Sequence, residues 1–390
     1  MSFDTLNIPK IPLQKFSRGE TSYQTKLYIQ YGDIVRQTEF GKAVKNELIN
    51  DDRIKRLVEY YKEKQVAFDI DKLTYWFIWR INSVGKDEAI NNLNNYLDEN
   101  KNEVEAIHIL WILGVEIENS INLFDDITIE PIENMPNSDY KEKFLQSRFQ
   151  HFPLITPTPY SALVLRQKEE VNKDSTRIIN ASFILDDIAL LINLISNTSC
   201  LSYASIKEYE NSYPYGPFGG SGCSSVFYDV VGNKNTKLTE DDFSEIENLY
   251  KVYSTFEDKK RQKFNTIINR IRQSKRRENI EDKILDLVIA MEMMLLDNND
   301  KSQLKLSFRL RGSMLLASTD EEKSRLFLLF GKLYDYRSLV AHSGSLKDSD
   351  KKLIKKEFSS YSELAEKICK NLILNSTPDW DKLILGIEEN

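Results

Sequence analysis

From Thr239 to residue 376, apolar residues recur at three- and four-residue spacing with only short polar interruptions, and no other feature narrows the possible folds of this chain as much. The segment "KLTEDDFSEIENLYKVYSTF" opens the pattern. Thr239 can cap a helix with Asp242 at its third position, and Phe243, Ile246, Leu249, Val252, Tyr253 and Phe256 then line one face. Further helices are expected at about 281–296, 302–317, 321–342 and 351–375. Their short polar links favour antiparallel neighbours in a bundle.

Such a bundle does not account for a chain of 390 residues, because single cores tend to split beyond roughly 250–300 residues. Residues 1–122 read as mostly helical, with Trp76, Trp79 and Trp111 as core anchors. The texture then changes: Pro153, Pro157 and Pro159 break helices and suit short strands and loops, which puts a boundary near residue 123. Residues 176–195 read as a strand running into a largely buried helix. "YPYGPFGGSGCSSVFYDVVGN" reads as a Gly/Pro-rich surface loop and a short strand, since it has neither phosphate-binding glycine spacing nor a helix directly after it. The expected fold is mainly α. It has a helical N-terminal region (1–122), a smaller mixed α/β region (123–238), an antiparallel helical bundle (239–376) and a C-terminal tail (377–390).

A net charge of −7 argues against a generally basic nucleic-acid binder, so any polyanion site must be local. Cys200, Cys223 and Cys369 are odd in number and widely spaced, which suggests buried free thiols rather than a disulfide framework or a zinc site. His108, His151 and His342 show no metal-ligand spacing, and neither a metal nor a cofactor is implied. No apolar run approaches the roughly 18 residues that span a bilayer. A cytoplasmic protein without a membrane partner is expected.

The bundle carries two misplaced charges. With each residue advancing about 100° on a helix, Leu326, Phe330, Leu333 and Val340 form one stripe, and Arg337 falls about 20° from its centre. On the 281–296 segment, Leu285, Val288, Ile289 and Leu296 form a stripe with Glu292 about 20° from its centre. An unpaired buried charge costs several kcal/mol. Two readings follow: a Glu292–Arg337 salt bridge that fixes helix register, or a site in which Glu292 orients Arg337 toward an anion. His342 lies five positions beyond Arg337 and is rotated by roughly 140° from it. The two side chains converge on one ligand only if the helix end unwinds at Ser343–Gly344 or a second protomer supplies one of them.

These residues sit in a longer pattern. The stretch "KFNTIINRIRQSKRRENIEDKILDLVIAMEMMLL", then "LKLSFRLRGSMLLA" and "LFGKLYDYRSLVAHSG", resembles the Apea-like branch of the HEPN superfamily. The likeness is loose over 180–376 and good over 239–346. It rests on an asparagine-bearing helix, a helix with an internal Glu, an "LSYRLALRAALLL"-like helix and an "YxxRSxIVHG"-like ending.

The resemblance implies a metal-independent endoribonuclease in which Arg337 and His342 form an R-x4-H motif. The RNA 2′-hydroxyl would attack its own phosphodiester, His342 would move a proton and Arg337 would neutralise charge on the phosphoryl oxygens. Glu292 and Ser338 would support them. Active relatives often carry Asn, Asp or His at the position of Ser338.

The resemblance also implies single-stranded RNA as partner, a homodimer with facing motifs and a role as an anti-phage or toxin-like defence effector. Residues 1–238 would sense a phage-derived or other trigger, or regulate the bundle. The alternative is a non-catalytic HEPN binding or regulatory module. The nine Lys and Arg residues of 259–277 include Lys263, Arg270, Lys275, Arg276 and Arg277, which would supply phosphate contacts.

Overall fold

A computed structural model describes residues 32–63, 68–97, 103–135, 159–170, 179–209, 214, 235–296 and 303–387. The Gly-rich loop, apart from Pro214, and the strand expected after it lie outside the described residues, as does Cys223.

The described chain is mainly helical with one antiparallel sheet in its middle. After helical residues 32–37, four helices follow: α1 (Glu39–Asn50), α2 (Asp52–Glu63), α3 (Ile70–Val84) and α4 (Lys86–Leu97). Thr38 and Asp69 cap α1 and α3 by accepting the Gly41 and Lys72 amides. Their core is separate from the rest and is built on α3, where Tyr75, Trp76, Phe77 and Ile78 are all fully buried. An α-helix apolar on every side must be enclosed by its neighbours, and here α1 and α4 pack on it.

The next element corrects the expectation of helix up to residue 122. Residues Glu103–Leu113 form strand β1, followed by β2 (Val115–Glu116), β3 (Ile121–Phe124), β4 (Ile127–Pro131) and β5 (Ser161–Glu170). From Ala106 to Leu113 nearly every residue is buried, because both faces of the sheet are covered. A strand of that kind loses its two-residue alternation and cannot be told from a buried helix by periodicity. The sheet order is β3-β4-β5-β1-β6, where β6 is Leu201–Tyr209, and all neighbours are antiparallel. A short parallel pair joins β2 to β7 (Thr236–Lys237).

Helix α5 (Ile179–Leu191) lies between sheet and bundle, touching β1, β5 and β6 on one side and α6 and α7 on the other. It is helical from Ile179, so the expected strand does not extend past that residue; residues 176–178 lie outside the described residues. The bundle follows as α6 (Glu240–Tyr253), α7 (Asp258–Arg276), α8 (Ile280–Leu295), α9 (Leu304–Leu316), α10 (Asp320–Ser343) and α11 (Asp348–Leu374). Thr239 and Asp242 form a capping box at the start of α6. Helix α8 is central and packs against α7, α9, α10 and α11. The expected tail contains a further short helix, α12 (Trp380–Leu385), whose Trp380 is buried under the Arg311 guanidinium. Among the described residues no helix is long and apolar enough to cross a membrane.

Sheet, α5 and bundle share one continuous hydrophobic core. Residue 239 therefore marks a change of secondary structure and not a break between cores. The junction is the turn between α5 and β6, where Ser196 and Asn197 take left-handed conformations that non-glycine residues seldom adopt (φ 46° and 57°). Asn193 holds the turn by donating to the Ala189 and Cys200 carbonyls and accepting from the Cys200 amide. The Lys275 ammonium of α7 then donates to the carbonyls of Asn193 (2.6 Å) and Thr198 (2.8 Å) and pairs with Glu366 of α11 at 2.7 Å.

Both charged side chains are only 4% exposed, and burial lowers the Lys275 pKa. All three ammonium protons have an acceptor, which is what makes a buried lysine tolerable. Lys275→Met would leave a buried carboxylate and two carbonyls without their donor, and is expected to destabilise the protein by about 3–5 kcal/mol. Chemical denaturation checks this; an unchanged midpoint would show that the network contributes nothing.

Candidate functional site

Helix α10 places both residues of the R-x4-H pattern. Thr319 caps its start by accepting the Glu322 amide, and Leu326, Phe330, Leu333 and Val340 bury one face in the core. Gly331 lets the Arg309 side chain of α9 cross close by: a Cβ there would sit 3.1 Å from Arg309 Nε, which itself donates to the Phe327 carbonyl. The helix stays regular to Ser343, and Gly344 ends it in a left-handed conformation (φ 72°) with its amide on the Val340 carbonyl at 2.9 Å.

Arg337 points from this helix toward α8. Its Nη2 lies 3.4 Å from Glu292 Oε2, with the side chains 32% and 16% exposed. The Arg337 Nε is buried and has no hydrogen-bond partner among the described residues. Guanidinium carries five N–H donors in a fixed fork, so the single ion pair to Glu292 leaves it with donors for an incoming anion. Burial raises the Glu292 pKa, and the nearby Arg337 charge pulls it back only in part. The pair therefore sets position more than it adds stability, as is common for ion pairs removed from water.

His342 is exposed in the last turn of α10. The Ser343 hydroxyl donates to the Leu339 carbonyl at 2.7 Å, with the Ser345 carbonyl at 3.0 Å as the alternative acceptor, and with the Gly344 cap it closes that turn. The helix does not unwind at Ser343–Gly344. The divergence of roughly 140° between Arg337 and His342 thus persists within one chain. Ser338 is half-buried between them in sequence.

The segment after the motif is pinned by a residue that sequence reasoning did not single out. Glu281, in the first turn of α8, pairs with Lys351 of α11 at 2.6 Å and faces the Leu346 amide at 3.5 Å. The Lys351 contact holds the Glu281 carboxyl below its ordinary pKa. An acid in a helix's first turn is expected for the dipole alone, so nothing in the sequence separates this role from that one.

The basic strip of 259–277 requires correction. Lys275 is not available to RNA, since it is buried in the Glu366 network. Arg270 and Arg277 both pair with Asp286 of α8, a carboxylate whose side chain is 6% exposed. Arg276 is half-buried near the C-terminus of α7, and Lys263 is exposed on the same helix. A run of cations on a sequence resembles a solvated face; here Lys275 is buried against Glu366 of α11, while Arg270 and Arg277 stay partly exposed and pair with Asp286 of α8.

Cys200 and Cys369 are buried free thiols, and burial raises the pKa of both. Trp76, Trp79 and Trp111 are likewise buried. Among the described residues no group of three or more His, Cys, Asp or Glu side chains could hold a metal ion.

The Glu292 arrangement gives a signed pH dependence. A carboxyl whose folded pKa is raised contributes stability that is fully present below its ordinary value of 4.5 and is lost as pH rises through the folded value. Glu292→Gln should therefore melt at or above the wild-type temperature at pH 7, with the difference shrinking toward pH 4. A variant that melts well below wild type at pH 7 would mean that the attraction to Arg337 outweighs burial.

Comparison of the chain with models of protein families, with curated proteins and with solved structures yields no match.

Proposed function

We propose that this chain is a metal-independent endoribonuclease of the HEPN type that cleaves single-stranded RNA, acting as an anti-phage or toxin-like defence effector with residues 1–238 as its sensor or regulator. One observation carries the reading. A partly exposed arginine is held at the edge of the bundle core by one carboxylate, and an exposed histidine follows it on the same helix. With a single ion pair to Glu292, the partly exposed guanidinium keeps N–H donors with which it can meet an anion.

In the reaction, the RNA 2′-oxygen loses its proton to an imidazole and attacks the adjacent phosphorus. The bond from phosphorus to the 5′-oxygen breaks, and a protonated imidazole gives that oxygen its proton. The products are a 2′,3′-cyclic phosphate and a 5′-hydroxyl. Arg337 binds the phosphoryl oxygens as charge builds on them. Since Arg337 and His342 diverge on a regular helix, the reading assigns the site to two chains, each supplying one member.

Purified protein is expected to degrade single-stranded RNA in EDTA. Arg337→Ala and His342→Ala should each lower the rate by at least about 100-fold, the scale of a missing acid–base or charge-stabilising group, with little change in melting temperature. Folded variants that cut as fast as wild type would refute the assignment. Wild-type protein that never cuts RNA would favour the non-catalytic binding module.

The two-chain site has its own test. The protein should sediment as a dimer, and mixed Arg337→Ala and His342→Ala protomers should regain part of the activity, because one of the two sites in the heterodimer is then intact. A fully active monomer would contradict this arrangement.

A further inference from the structure

Lys275 is buried, and Arg270 and Arg277 share Asp286; a second group of cations follows the end of α10 directly in the chain. The run "LKDSDKKLIKK", residues 346–356, supplies them. Lys347, Lys352 and Lys355 are exposed and have no ion pair or hydrogen bond from their side chains among the described residues. Lys356 is also exposed and lies 3.7 Å from Glu357, a weak surface contact. Lys351 alone is withdrawn, to Glu281.

On helix geometry Lys352, Lys355 and Lys356 fall within about 100° of one another. They sit opposite the buried face that begins with Ile354 and Tyr361. Two exposed acids share that face, Asp348 before the lysines and Glu363 about two turns after them. Asp348 also meets the positive end of the helix, while Asp350 is half-buried and lies near the Tyr336 hydroxyl.

The patch is also held in place relative to His342. Only five positions separate His342 from Lys347, the intervening Leu346 is buried, and Glu281 faces both the Leu346 amide and the Lys351 ammonium. The first turns of α11 therefore cannot swing away from the end of α10 without breaking the Glu281 bridge.

We infer that Lys347, Lys352 and Lys355, with Lys356 beside them, form the phosphate-backbone track for single-stranded RNA leading to His342. The inference rests on the ribonuclease reading for the identity of the strand. It does not depend on cleavage for its test. Long flexible ammonium groups with no internal partner supply sequence-independent contacts, each releasing counterions when it meets a phosphate.

The experiment measures Kd of a labelled single-stranded oligoribonucleotide across a salt series, using full-length His342→Ala protein so that the probe stays intact. Adding Lys347→Gln, Lys352→Gln and Lys355→Gln should reduce the slope of log Kd against log salt by roughly 2, at about 0.7 for each phosphate that is no longer neutralised. Adding Lys259→Gln and Lys263→Gln on α7 instead should leave the slope unchanged. An unchanged slope in the α11 variant, or an equal reduction in the α7 variant, would overturn the inference. RNA binding through α11 by wild-type protein that never cuts would sink the nuclease reading and leave this one standing.

Discussion

A single buried ammonium pins the junction of the sheet layer with the bundle inside their shared core. Lys275 leaves α7 and reaches Glu366 on α11 and two carbonyls in the turn between α5 and β6, so one cation ties the sheet layer to two bundle helices. Two further contacts extend the junction: Ser196 donates to Asp242 on α6, and Asn197 donates to Ser359 on α11. The turn keeps two left-handed non-glycine residues at a cost of order 1–3 kcal/mol each, which only an over-determined site can hold. The turn after α5 is thereby in direct contact with α6, α7 and α11. Helix α11 is also the one that receives the chain from the end of α10, which gives a physical route by which the proposed sensing region could bias the site.

The site itself depends on the regularity of α10. Because the helix runs unbroken to Ser343 and is capped by Gly344, Arg337 faces α8 while His342 faces solvent. The same regularity keeps the two side chains in fixed and different directions, which is why the proposed reaction is assigned to two chains. Glu292 contributes placement, with its own burial partly opposing the pair.

The helical bundle and the inward Arg337 were legible in the sequence, for a reason specific to them. In α10 the projected stripe of Leu326, Phe330, Leu333 and Val340 is the buried face, and Arg337 stands out against it. In α8 the buried face is Ile284, Leu287, Val288, Met291 and Leu295, while Leu285, Ile289 and Leu296 are only half-buried, so Glu292 sits beside that face rather than at its centre. Strand β1 was not legible, since Ile109, Leu110, Trp111 and Ile112 are all buried and show no alternation. Nor was Lys275, whose neighbours Arg276 and Arg277 make it look like one more exposed cation. Its acceptors are Glu366 and two backbone carbonyls of residues 193 and 198, which no local pattern connects to it. Long-range partners of this kind come only from the fold.

The central claim is that Arg337 and His342 direct an RNA 2′-hydroxyl onto its own phosphodiester. The chemistry of the product termini tests it most directly. RNA cut by the purified wild-type protein in EDTA should carry 2′,3′-cyclic phosphates and 5′-hydroxyls, detectable because the 5′ ends accept phosphate from a polynucleotide kinase without prior dephosphorylation. Products bearing 5′-phosphates and 3′-hydroxyls would mean that water or another external nucleophile had attacked, and would contradict the account.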